Sequence, residues 1–486
     1  MINDTMFKTN LPSIFIFWII LIVVTIISIQ YLTVFPRIFY DEASAIEVAR
    51  NFQLFGVLDV LTAPGQFSGF PYITGSTGFP VTLPLAAFFK IFGFGFTQAR
   101  IYALIWLVIF LVTAWFFVKN FWNASYAAGA IALIAGFASF HDSGRKVMGD
   151  IPGFALLLLA LLLLLKKERK FLAGIFFGLA VAAKPSVYLF IIPALILTYL
   201  IADWRRSFRN LIPIGFGITI PIIFWIIFQL PQPLLLNTWQ NVINFYQNAF
   251  GSSYSARLSI LNNIKSFISQ TTLIYFSLLA ILVISALKTK FAKKDLLVLF
   301  VSMYGILDLL YFLKSPGRIR YLLPLQLLIL LFLPFTAAWL IQKLQLRLIL
   351  FRKLPFRYLW TIAIGGLSLL HLVQFIFFSN VIYKNTSHLE ALKFLAQYQT
   401  EVIGVLNSPH IAAFLPPEKK IHYIRETDQV IFGFNPLDLD QEELPNLLVM
   451  PAGYDQNSLL SDTQLKQLGR YALVLNGKWE IYKLSP

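Results

Sequence analysis

The amino-acid sequence predicts a polytopic α-helical membrane protein with an extramembrane segment near its start and a small α/β domain at its end. The 486-residue chain is 58% hydrophobic and 13% charged, with a mean hydropathy of +0.72. Such values are typical of polytopic membrane proteins and unusual for soluble domains. Apolar runs of about 20 residues, long enough to cross a bilayer, also recur along the chain as far as residue 378.

Eleven apolar runs are predicted to span the membrane. The first, from about Leu11 to Tyr31, is interpreted as a retained anchor, because its core is too long for a cleaved signal peptide. Two short runs, 171–183 and 187–202, flank Lys184-Pro185, which favours tilted or broken helices that line a cavity. The other predicted spans lie near 101–118, 124–140, 151–165, 211–229, 272–287, 296–313, 321–341 and 359–378.

The distribution of Lys and Arg predicts the orientation of the chain. Basic runs occupy alternate loops, including KKERK at 166–170 and KTKFAKK at 288–294, and such loops are cytoplasmic. This clustering accounts for the formal charge of +16 and argues against nucleic-acid binding. We therefore expect a multi-pass plasma-membrane protein whose extracytoplasmic parts are the segment 32–99, the loops 141–150, 230–271 and 314–320, and the C-terminal tail.

The composition changes after about Asn380, and 12 of the 23 acidic residues follow that point. The stretches TEVIGVL, KIHYI, NLLVMP and YALVLNGKWEIYKL are predicted strands, the last forming a hairpin at Asn476-Gly477. SHLEALKFLAQY and DTQLKQLGRYA have helical spacing. We therefore predict a transmembrane domain over 1–380 and an extracytoplasmic α/β domain over 381–486.

Two adjacent acids, Asp41 and Glu42, follow the first span. The apolar spacing after them predicts an amphipathic helix over 41–55 that lies along the membrane surface and ends at Gly56. The positive end of that helix would keep both acids ionised. Helix capping by Asp is the simpler explanation and stays open, but a Tyr-Asp-Glu cluster at a membrane exceeds what capping requires, which favours a functional site.

Another charged cluster lies in HDSGRKVMGDIPG at residues 141–153. His141 and Lys146 are interpreted as members of a solvated loop, whereas Arg145 is kept as a further candidate for the site. Asp150 lies at the mouth of the next predicted span, where a charge needs a partner. The cluster thus contributes a second candidate carboxylate.

Basic residues occur where cations are disfavoured. Lys184 is a lone cation in an apolar run, and Arg318 and Arg320 precede Tyr321 on the predicted extracytoplasmic side. A phosphate or pyrophosphate near the membrane would hold them there, and acidic lipid headgroups are the other candidate. In a transferase site, such cations would stabilise a departing phosphate, and a carboxylate would deprotonate or polarise an acceptor hydroxyl.

Several motifs resemble those of the C superfamily of membrane glycosyltransferases, specifically the dolichyl-phosphate-mannose–protein mannosyltransferase and lipid A aminoarabinose transferase group. They occur in family order from about residue 35 to 330: YDEA, TGFPVTLPLAAFFKIFGFGFTQARIYAL, GRKVMGDIPGFALLLL, GLAVAAKPSVYLFIIPAL and GRIRYLLPLQLLIL. The resemblance implies a GT-C-like fold. It also implies transfer of a sugar from a polyprenyl-phosphate carrier, with inversion, to a lipid, glycan or protein acceptor.

The resemblance also implies roles for single residues. By position Asp41 matches the catalytic acid, Glu42 its neighbour near the acceptor, and Asp150 a second acidic position. Lys184 and Arg320 match basic positions near the carrier phosphate. Arg318 and Tyr321, beside Arg320, are included in the carrier-phosphate site, and Arg100 matches a recurring position without an assigned role.

The sequence also departs from that family. TGFPVTLPL replaces a run resembling Tyr-Pro-Pro-Leu, and the C-terminal tail is unlike those of better-known members. Asp41-Glu42 is not an Asp-x-Asp pair, so no cofactor is expected and a divalent metal is not favoured. The absence of cysteine excludes disulfides and thiolate metal sites. The competing function is a transporter or flippase of polyprenyl-linked glycans, which should show pseudo-symmetric halves.

Overall fold

The computed structural model of the protein describes residues 10–30, 32–63, 66–69, 76–164, 169–202, 204–230, 234–248, 256–290, 295–315, 318–347, 354–377, 379, 387–398, 402–406, 408–416, 421–424, 445–452 and 469–485. The helices of its transmembrane part are α1 Asn10–Ile29, α2 Tyr40–Phe55, α3 Phe79–Phe92, α4 Phe96–Phe121, α5 Ala124–Gly136, α6 Ala138–Gly144, α7 Asp150–Leu164, α8 Lys170–Ala183, α9 Pro185–Tyr188, α10 Ile191–Ala202, α11 Trp204–Gln229, α12 Leu236–Asn248, α13 Ala256–Ser269, α14 Thr271–Lys290, α15 Leu296–Lys314, α16 Leu323–Arg347 and α17 Phe356–Phe377. A short two-stranded sheet, β1 Leu61–Ala63 with β2 Gln66–Phe67, lies between α2 and α3.

Eight of the described helices are long and apolar enough to cross a membrane, or nine if α5 and α6, which are bent by 74°, form one span. A multi-pass membrane protein is therefore confirmed. Each of the eleven predicted spans coincides with an apolar helix. However, α7 and α8 have only 15 and 14 described helical residues, fewer than the roughly 20 that a crossing requires. The number eleven stays a prediction.

The predicted break at Lys184-Pro185 is present. Helix α8 ends at Ala183, Lys184 is extended with φ −154° and ψ 86°, and α9 begins at Pro185. Proline has no N–H for the helical ladder and pushes the preceding residue out of the helical region. The Lys184-Pro185 pair therefore ends α8 and leaves the backbone of Lys184 outside the helical conformation.

One predicted loop is wrong, and another contains helices. Residues 138–144 form the short helix α6, and His141 and Lys146 are only 1% and 8% exposed, so this stretch is not a solvated loop. His141 is buried because its ring stacks on Phe375 with centroids 4.1 Å apart. The predicted loop 230–271 contains helices α12 and α13.

Helix α2 is formed as predicted but does not lie on a surface. It ends at Gly56, whose φ of +73° is the left-handed conformation that glycine adopts readily. All ten residues from Glu42 to Asn51 are buried. The polar face is covered because Arg50 donates to the carbonyls of Ala413 and Leu415, at 2.9 and 2.7 Å, so the C-terminal region packs over it. The predicted surface location is therefore wrong.

The C-terminal region contains a five-stranded mixed sheet. Its strands are β3 Ile403–Leu406, β4 Ile421–Ile424, β5 Leu447–Pro451, β6 Tyr471–Leu475 and β7 Trp479–Leu484, in the order β4-β3-β5-β7-β6. Strand β3 is parallel to β4 and β5, and β7 is antiparallel to β5 and β6. Helices α18 Ser387–Leu395 and α19 Pro409–Ala412 pack with it.

The strands lie where the sequence places them, and β6 and β7 form the hairpin predicted at Asn476-Gly477. The core of this region is apolar and includes Ile403, Val405 and Ile481, each 0% exposed. Most of the helix predicted for DTQLKQLGRYA, residues 462–468, lies outside the described residues, and its last two residues, Tyr471 and Ala472, belong to strand β6 instead. Whether 381–486 is a separate domain stays a prediction.

Candidate active site

The first turn of α2 presents Asp41 to a group of cations. Its carboxylate is 20% exposed, and its Oδ2 lies 3.1 Å from Nη2 of Arg320 and 3.9 Å from Nζ of Lys184. Three sequence segments therefore meet at one carboxylate: the start of α2, the break after α8, and the turn before α16. The partial exposure leaves Asp41 open to a reactant.

Lys184 also pairs with the second predicted carboxylate. Its Nζ lies 3.2 Å from Oδ2 of Asp150, and the two side chains are only 2% and 1% exposed. The hydroxyl of Tyr188 donates to the backbone carbonyl of Asp150, which joins α9 to the start of α7. Neither carboxylate oxygen of Asp150 has a hydrogen-bond donor within the described residues. A buried pair with spare bonding capacity is well suited to receive a polar ligand.

Two glycines bring the chain close to this lysine. The N–H of Gly78 donates to the carbonyl of Ala183 at 3.0 Å. A Cβ at Gly78 would lie 1.9 Å from the carbonyl oxygen of Ala182, and one at Gly149 would lie 2.1 Å from that of Ala183. No other residue fits at either position without moving backbone. The end of α8, and with it Lys184, is therefore fixed against two neighbouring segments.

Arg320 lies in a 3₁₀ turn, Ile319–Leu322, that connects α15 to α16. Its guanidinium carbon lies 4.5 Å from the ring centroid of Phe39 and 5.4 Å from that of Tyr321, both within cation–π range. Asn263, 5% exposed, donates to the carbonyls of Phe312, Leu313 and Ser315 at 2.7–3.0 Å. The Asn263 amide thus anchors the end of α15, from which the chain proceeds to Arg320.

Glu42 points away from this cluster into the protein. It is fully buried and forms an ion pair with Arg100, whose Nε lies 2.7 Å from Oε1. Arg100 Nη2 donates to Oε2 at 2.8 Å, and the N–H of Val147 donates to Oε1 at 3.2 Å. Burial raises the pKa of Glu42, and the nearby charge of Arg100 opposes that shift. The arrangement fits a residue that holds α2 in place better than one that contacts an acceptor.

The remaining predicted residues lie around the cluster. Arg145, 1% exposed, donates to the carbonyl of Gln30 at 2.8 Å and stacks on Phe35 at 4.9 Å. Arg318 is exposed, and Tyr321 is buried beneath Arg320. The structure thus brings together Asp41, Asp150, Lys184 and Arg320, and it sets Glu42, Arg100 and Arg145 apart from them.

A cavity of about 640 Å³ reaches the cluster from between α6, α14 and α17. Arg320 lines it, together with apolar residues such as Phe137 and Phe276 and polar ones such as Tyr275. Asp142 lines it as well, and its carboxylate is ion-paired with Lys146 at 2.8 Å. The lining is mainly apolar with a cation, which suits a molecule that has a lipid part and an anionic part.

Asp308, a buried acid within a predicted span, was not among the predicted site residues. Asp308, in α15, is 0% exposed, and neither carboxylate oxygen has a hydrogen-bond partner within the described residues. An acid within an apolar span is itself a signal of function and could have been noticed. Across the part of the chain that the structure describes, no three His, Asp or Glu side chains are grouped so as to hold a metal ion.

Comparisons with known proteins bear on this architecture. A family model described as dolichyl-phosphate-mannose-protein mannosyltransferase matches residues 80–228. Among solved structures, ArnT from Cupriavidus metallidurans in the apo state aligns with a TM-score of 0.59 and 13% identity, over 96% of this chain and 97% of that one. ArnT from the same organism bound to undecaprenyl phosphate aligns with a TM-score of 0.59 and 12% identity, over 96% of this chain and 97% of that one. No curated protein sequence matches the chain.

A third solved structure is the oligosaccharyltransferase of Archaeoglobus fulgidus tethered with an acceptor peptide, with a TM-score of 0.53 and 11% identity. That alignment covers 99% of this chain and 75% of the archaeal one. At these identities the structural likeness shows the fold alone. Together with the family model, it confirms the resemblance to the C superfamily of membrane glycosyltransferases.

Proposed function

We propose that the protein is an integral-membrane glycosyltransferase that moves a sugar from a polyprenyl-phosphate carrier to a lipid, glycan or protein acceptor on the extracytoplasmic face. The observation that carries this proposal is the meeting of Asp41, Asp150, Lys184 and Arg320. These residues come from distant parts of the chain, and each costs free energy at a membrane unless it is partnered or used. Such convergence is what a phosphate-releasing active site requires.

The proposed chemistry assigns Asp41 the role of general base. An acceptor hydroxyl would attack the anomeric carbon, and its proton would pass to the Asp41 carboxylate. The bond between that carbon and the phosphate oxygen would break, and the polyprenyl phosphate would leave with the bonding electrons. Attack from the face opposite the leaving group would invert the anomeric configuration.

Lys184 and Arg320 would stabilise the negative charge that develops on the departing phosphate. Arg320 suits this role because its planar guanidinium can contact two phosphate oxygens, and Lys184 provides a point charge with three donors. Asp150, 3.2 Å from Nζ, would hold Lys184 in position. The polyprenyl chain would occupy the largely apolar cavity that Arg320 lines.

The comparisons and the distribution of basic residues both support the proposal. ArnT has been crystallised with undecaprenyl phosphate, and the archaeal oligosaccharyltransferase with an acceptor peptide. The mechanism needs a carrier and an acceptor, and each of these two proteins of similar fold has been seen with one of them. The extracytoplasmic location is supported by the Lys and Arg distribution. The site lies at the ends of α8 and α15 that are opposite to the basic loops.

The experiment that tests the proposal follows a labelled sugar. The purified full-length protein is incubated with radiolabelled polyprenyl-phosphate sugars and unlabelled membrane extract, and the label is located after lipid, glycan and protein fractionation. Transfer of label to one fraction by the wild-type protein, and its loss in Asp41→Asn, are expected. Label that stays on the carrier but changes membrane side in vesicles would support a flippase instead and overturn the proposal.

A further inference from the structure

A second, smaller cavity lies on the other side of Phe39, where the start of α2 meets the C-terminal region. Its volume is about 260 Å³. The side chains that define it are Arg37, Tyr40, His388, His410, Lys478 and Trp479, and we call it the basic pocket. It combines residues from both ends of the chain, so it forms only when the C-terminal region is docked on α2.

The basic pocket is lined by cations and hydrogen-bond donors. Arg37 and Lys478 are exposed at its edge, and no Asp or Glu is among the residues that line it. Burial, and next the charge of Arg37, lower the pKa of Lys478. Two like charges that face one cavity repel each other, and an anion between them removes that cost.

Buried donors inside the pocket have no partner. Nε2 of His388, Nδ1 of His410 and Nε1 of Trp479 are all without a hydrogen-bond partner in the described part of the chain. His388 and Trp479 are only 2% and 7% exposed. Unsatisfied buried groups of this kind are rare and call for an explanation, such as a ligand. The indole N–H can only donate, and each imidazole can donate, so the expected ligand is an acceptor of hydrogen bonds.

The basic pocket adjoins the candidate active site. Tyr40 lines it and its ring contacts that of His410, with centroids 6.4 Å apart. The next residue is Asp41, which faces Arg320. Phe39 separates the two sites, because it lines the basic pocket and also lies under the Arg320 guanidinium. A molecule bound in the pocket would therefore be held next to the carboxylate.

We infer that the basic pocket binds an oxyanion, a phosphate or a carboxylate, that is part of the acceptor, and so holds the acceptor beside Asp41. Its acceptor role rests on the function proposed above, whereas binding of an oxyanion does not. A neutral acceptor would leave the charges of Arg37 and Lys478 uncompensated among the described residues that line the pocket, and the three buried nitrogens without a partner there. The inference therefore selects anionic acceptors from among the lipids, glycans and proteins considered.

The first experiment measures oxyanion binding without any transfer reaction. Full-length protein in phosphatidylcholine nanodiscs, carrying Arg320→Ala to remove the proposed carrier-phosphate contact, is titrated calorimetrically with inorganic phosphate and with acetate. The two probes distinguish a phosphate from a carboxylate as the source of the oxyanion. Arg37→Gln and Lys478→Gln remove the exposed cations with little risk to folding, and Lys393→Gln, an exposed lysine of α18 outside the pocket, is the matched control.

Each of the two pocket substitutions should weaken binding of the preferred probe about tenfold or more, which is the usual effect of losing a charge-assisted contact. Trp479→Phe, which keeps an aromatic ring but removes the donor, should weaken it less. Lys393→Gln should bind as the parent does. Equal affinity in the pocket variants and in Lys393→Gln, or no binding of either probe to the parent, would overturn the inference.

The second experiment assigns the oxyanion to the acceptor. In the transfer assay with Arg320 restored, Arg37→Gln and Lys478→Gln should raise the KM for the acceptor about tenfold, with kcat and the KM for the carrier sugar unchanged. A rise in the KM for the carrier instead would place the carrier in the pocket and overturn the inference. If the wild-type protein transfers no sugar, the proposed function fails, while the binding experiment still decides whether the pocket takes an oxyanion.

Discussion

Arg320 Nη2 lies 3.1 Å from Oδ2 of Asp41, so the carboxylate that we propose as the base is ion-paired with a residue that we propose binds the carrier phosphate. Both residues are partly exposed, at 22% and 20%. A carrier phosphate that draws Arg320 away would leave the carboxylate free to accept a proton. In the proposed mechanism, carrier binding and activation of the base would therefore be coupled through one guanidinium.

Arg320→Ala should weaken binding of the polyprenyl phosphate. Loss of a charge-assisted contact to phosphate costs about 1.5–3 kcal/mol, which corresponds to a decrease in affinity of roughly ten- to a hundredfold. The decrease is measured as the ratio of the dissociation constants of undecaprenyl phosphate for the variant and the wild-type protein, each purified in nanodiscs. The alanine variants of Lys184 and Arg318 complete the set. Because Arg318 is exposed, Arg318→Ala should weaken carrier binding less than the other two substitutions do. Unchanged binding in all three variants would show that these residues do not bind the carrier phosphate.

The buried pair of Glu42 and Arg100 should stabilise the fold rather than take part in transfer. Removing one partner of a buried ion pair costs about 3–5 kcal/mol, because the other charge stays buried. Glu42→Gln should cost more than Arg100→Gln, since a lone carboxyl can become neutral by taking a proton whereas a guanidinium stays charged. Thermal unfolding of the two variants near pH 6 tests this order.

The double variant Glu42→Gln/Arg100→Gln is the control for that experiment. It removes both charges, so it should be more stable than Glu42→Gln alone. If Glu42 instead contacts the acceptor, its variant should unfold like the wild type and show a raised KM for the acceptor. That result would restore the acceptor role that the family resemblance implies for it.

The orientation predicted from Lys and Arg can be checked with a protease. The prediction places the N-terminus in the cytoplasm and the region beyond Asn380 outside. Digestion of sealed, right-side-out cells should therefore remove this region while the basic loops stay protected. Inside-out vesicles should show the reverse pattern. A protected tail in intact cells would place the candidate active site on the cytoplasmic side.

The docking of the C-terminal region should weaken in mild acid. Burial lowers the pKa of His410 to about 3 and that of His388 to about 4, from an ordinary value of 6.5. Both imidazoles are therefore neutral in the folded state, and the unfolded state takes up protons first as the pH falls. Their contribution is fully present above pH 6.5 and is lost progressively as the pH falls through 6.5 towards 3.

Limited proteolysis of the C-terminal region at pH 7 and pH 5 measures this effect, with faster cleavage expected at pH 5. His388→Gln/His410→Gln should reduce the difference between the two pH values, because neither glutamine titrates. A pH dependence as large as that of the wild type would assign it to other groups.

Local chemistry in the sequence was sufficient to find the residues of the main cluster. Lys184 stands alone in an apolar run and precedes proline, and Asp41 starts a helix after the first span, so each could be recognised from its own surroundings. The surface location of α2 could not be judged in this way. Its polar face is covered by Ala413 and Leu415, more than 350 residues later, and periodicity carries no information about such distant partners.

The same reason explains the other features that were missed. Glu42 and Arg100 are 58 residues apart, and the basic pocket joins Arg37 to His388, His410 and Lys478. Glu42 and Arg100 could be singled out from the sequence, but not their pairing, and each residue of the basic pocket looks like an ordinary surface charge or a core histidine in its local sequence. Only the folded chain shows which of them are buried, and which face one another.

Asp41→Asn is the variant that separates catalysis from a structural role. The capping role considered for Asp41 is not what the structure shows, because the N-cap of α2 is Phe39 and Asp41 lies within the first turn. Asparagine keeps the size of aspartate and caps helices equally well, but it has no negative charge and cannot take up the acceptor's proton. The variant should fold and insert normally and bind the carrier, since Arg320 is released from its ion pair. Its transfer rate should fall roughly a hundredfold or more, the usual scale for a general base.

Asp295→Asn is the matched control for Asp41→Asn. Asp295 accepts from the N–H groups of Leu297 and Val298 at 3.1 and 3.2 Å as the N-cap of α15, and it lies at the opposite end of that helix from Lys314. Because asparagine caps equally well, this variant should transfer sugar at the wild-type rate. If Asp41→Asn does so too, at matched expression, the Asp41 carboxylate is not the base, and the base must be sought at Asp150. If Asp150→Asn is also fully active, no carboxylate of the cluster is needed and the transferase proposal itself fails.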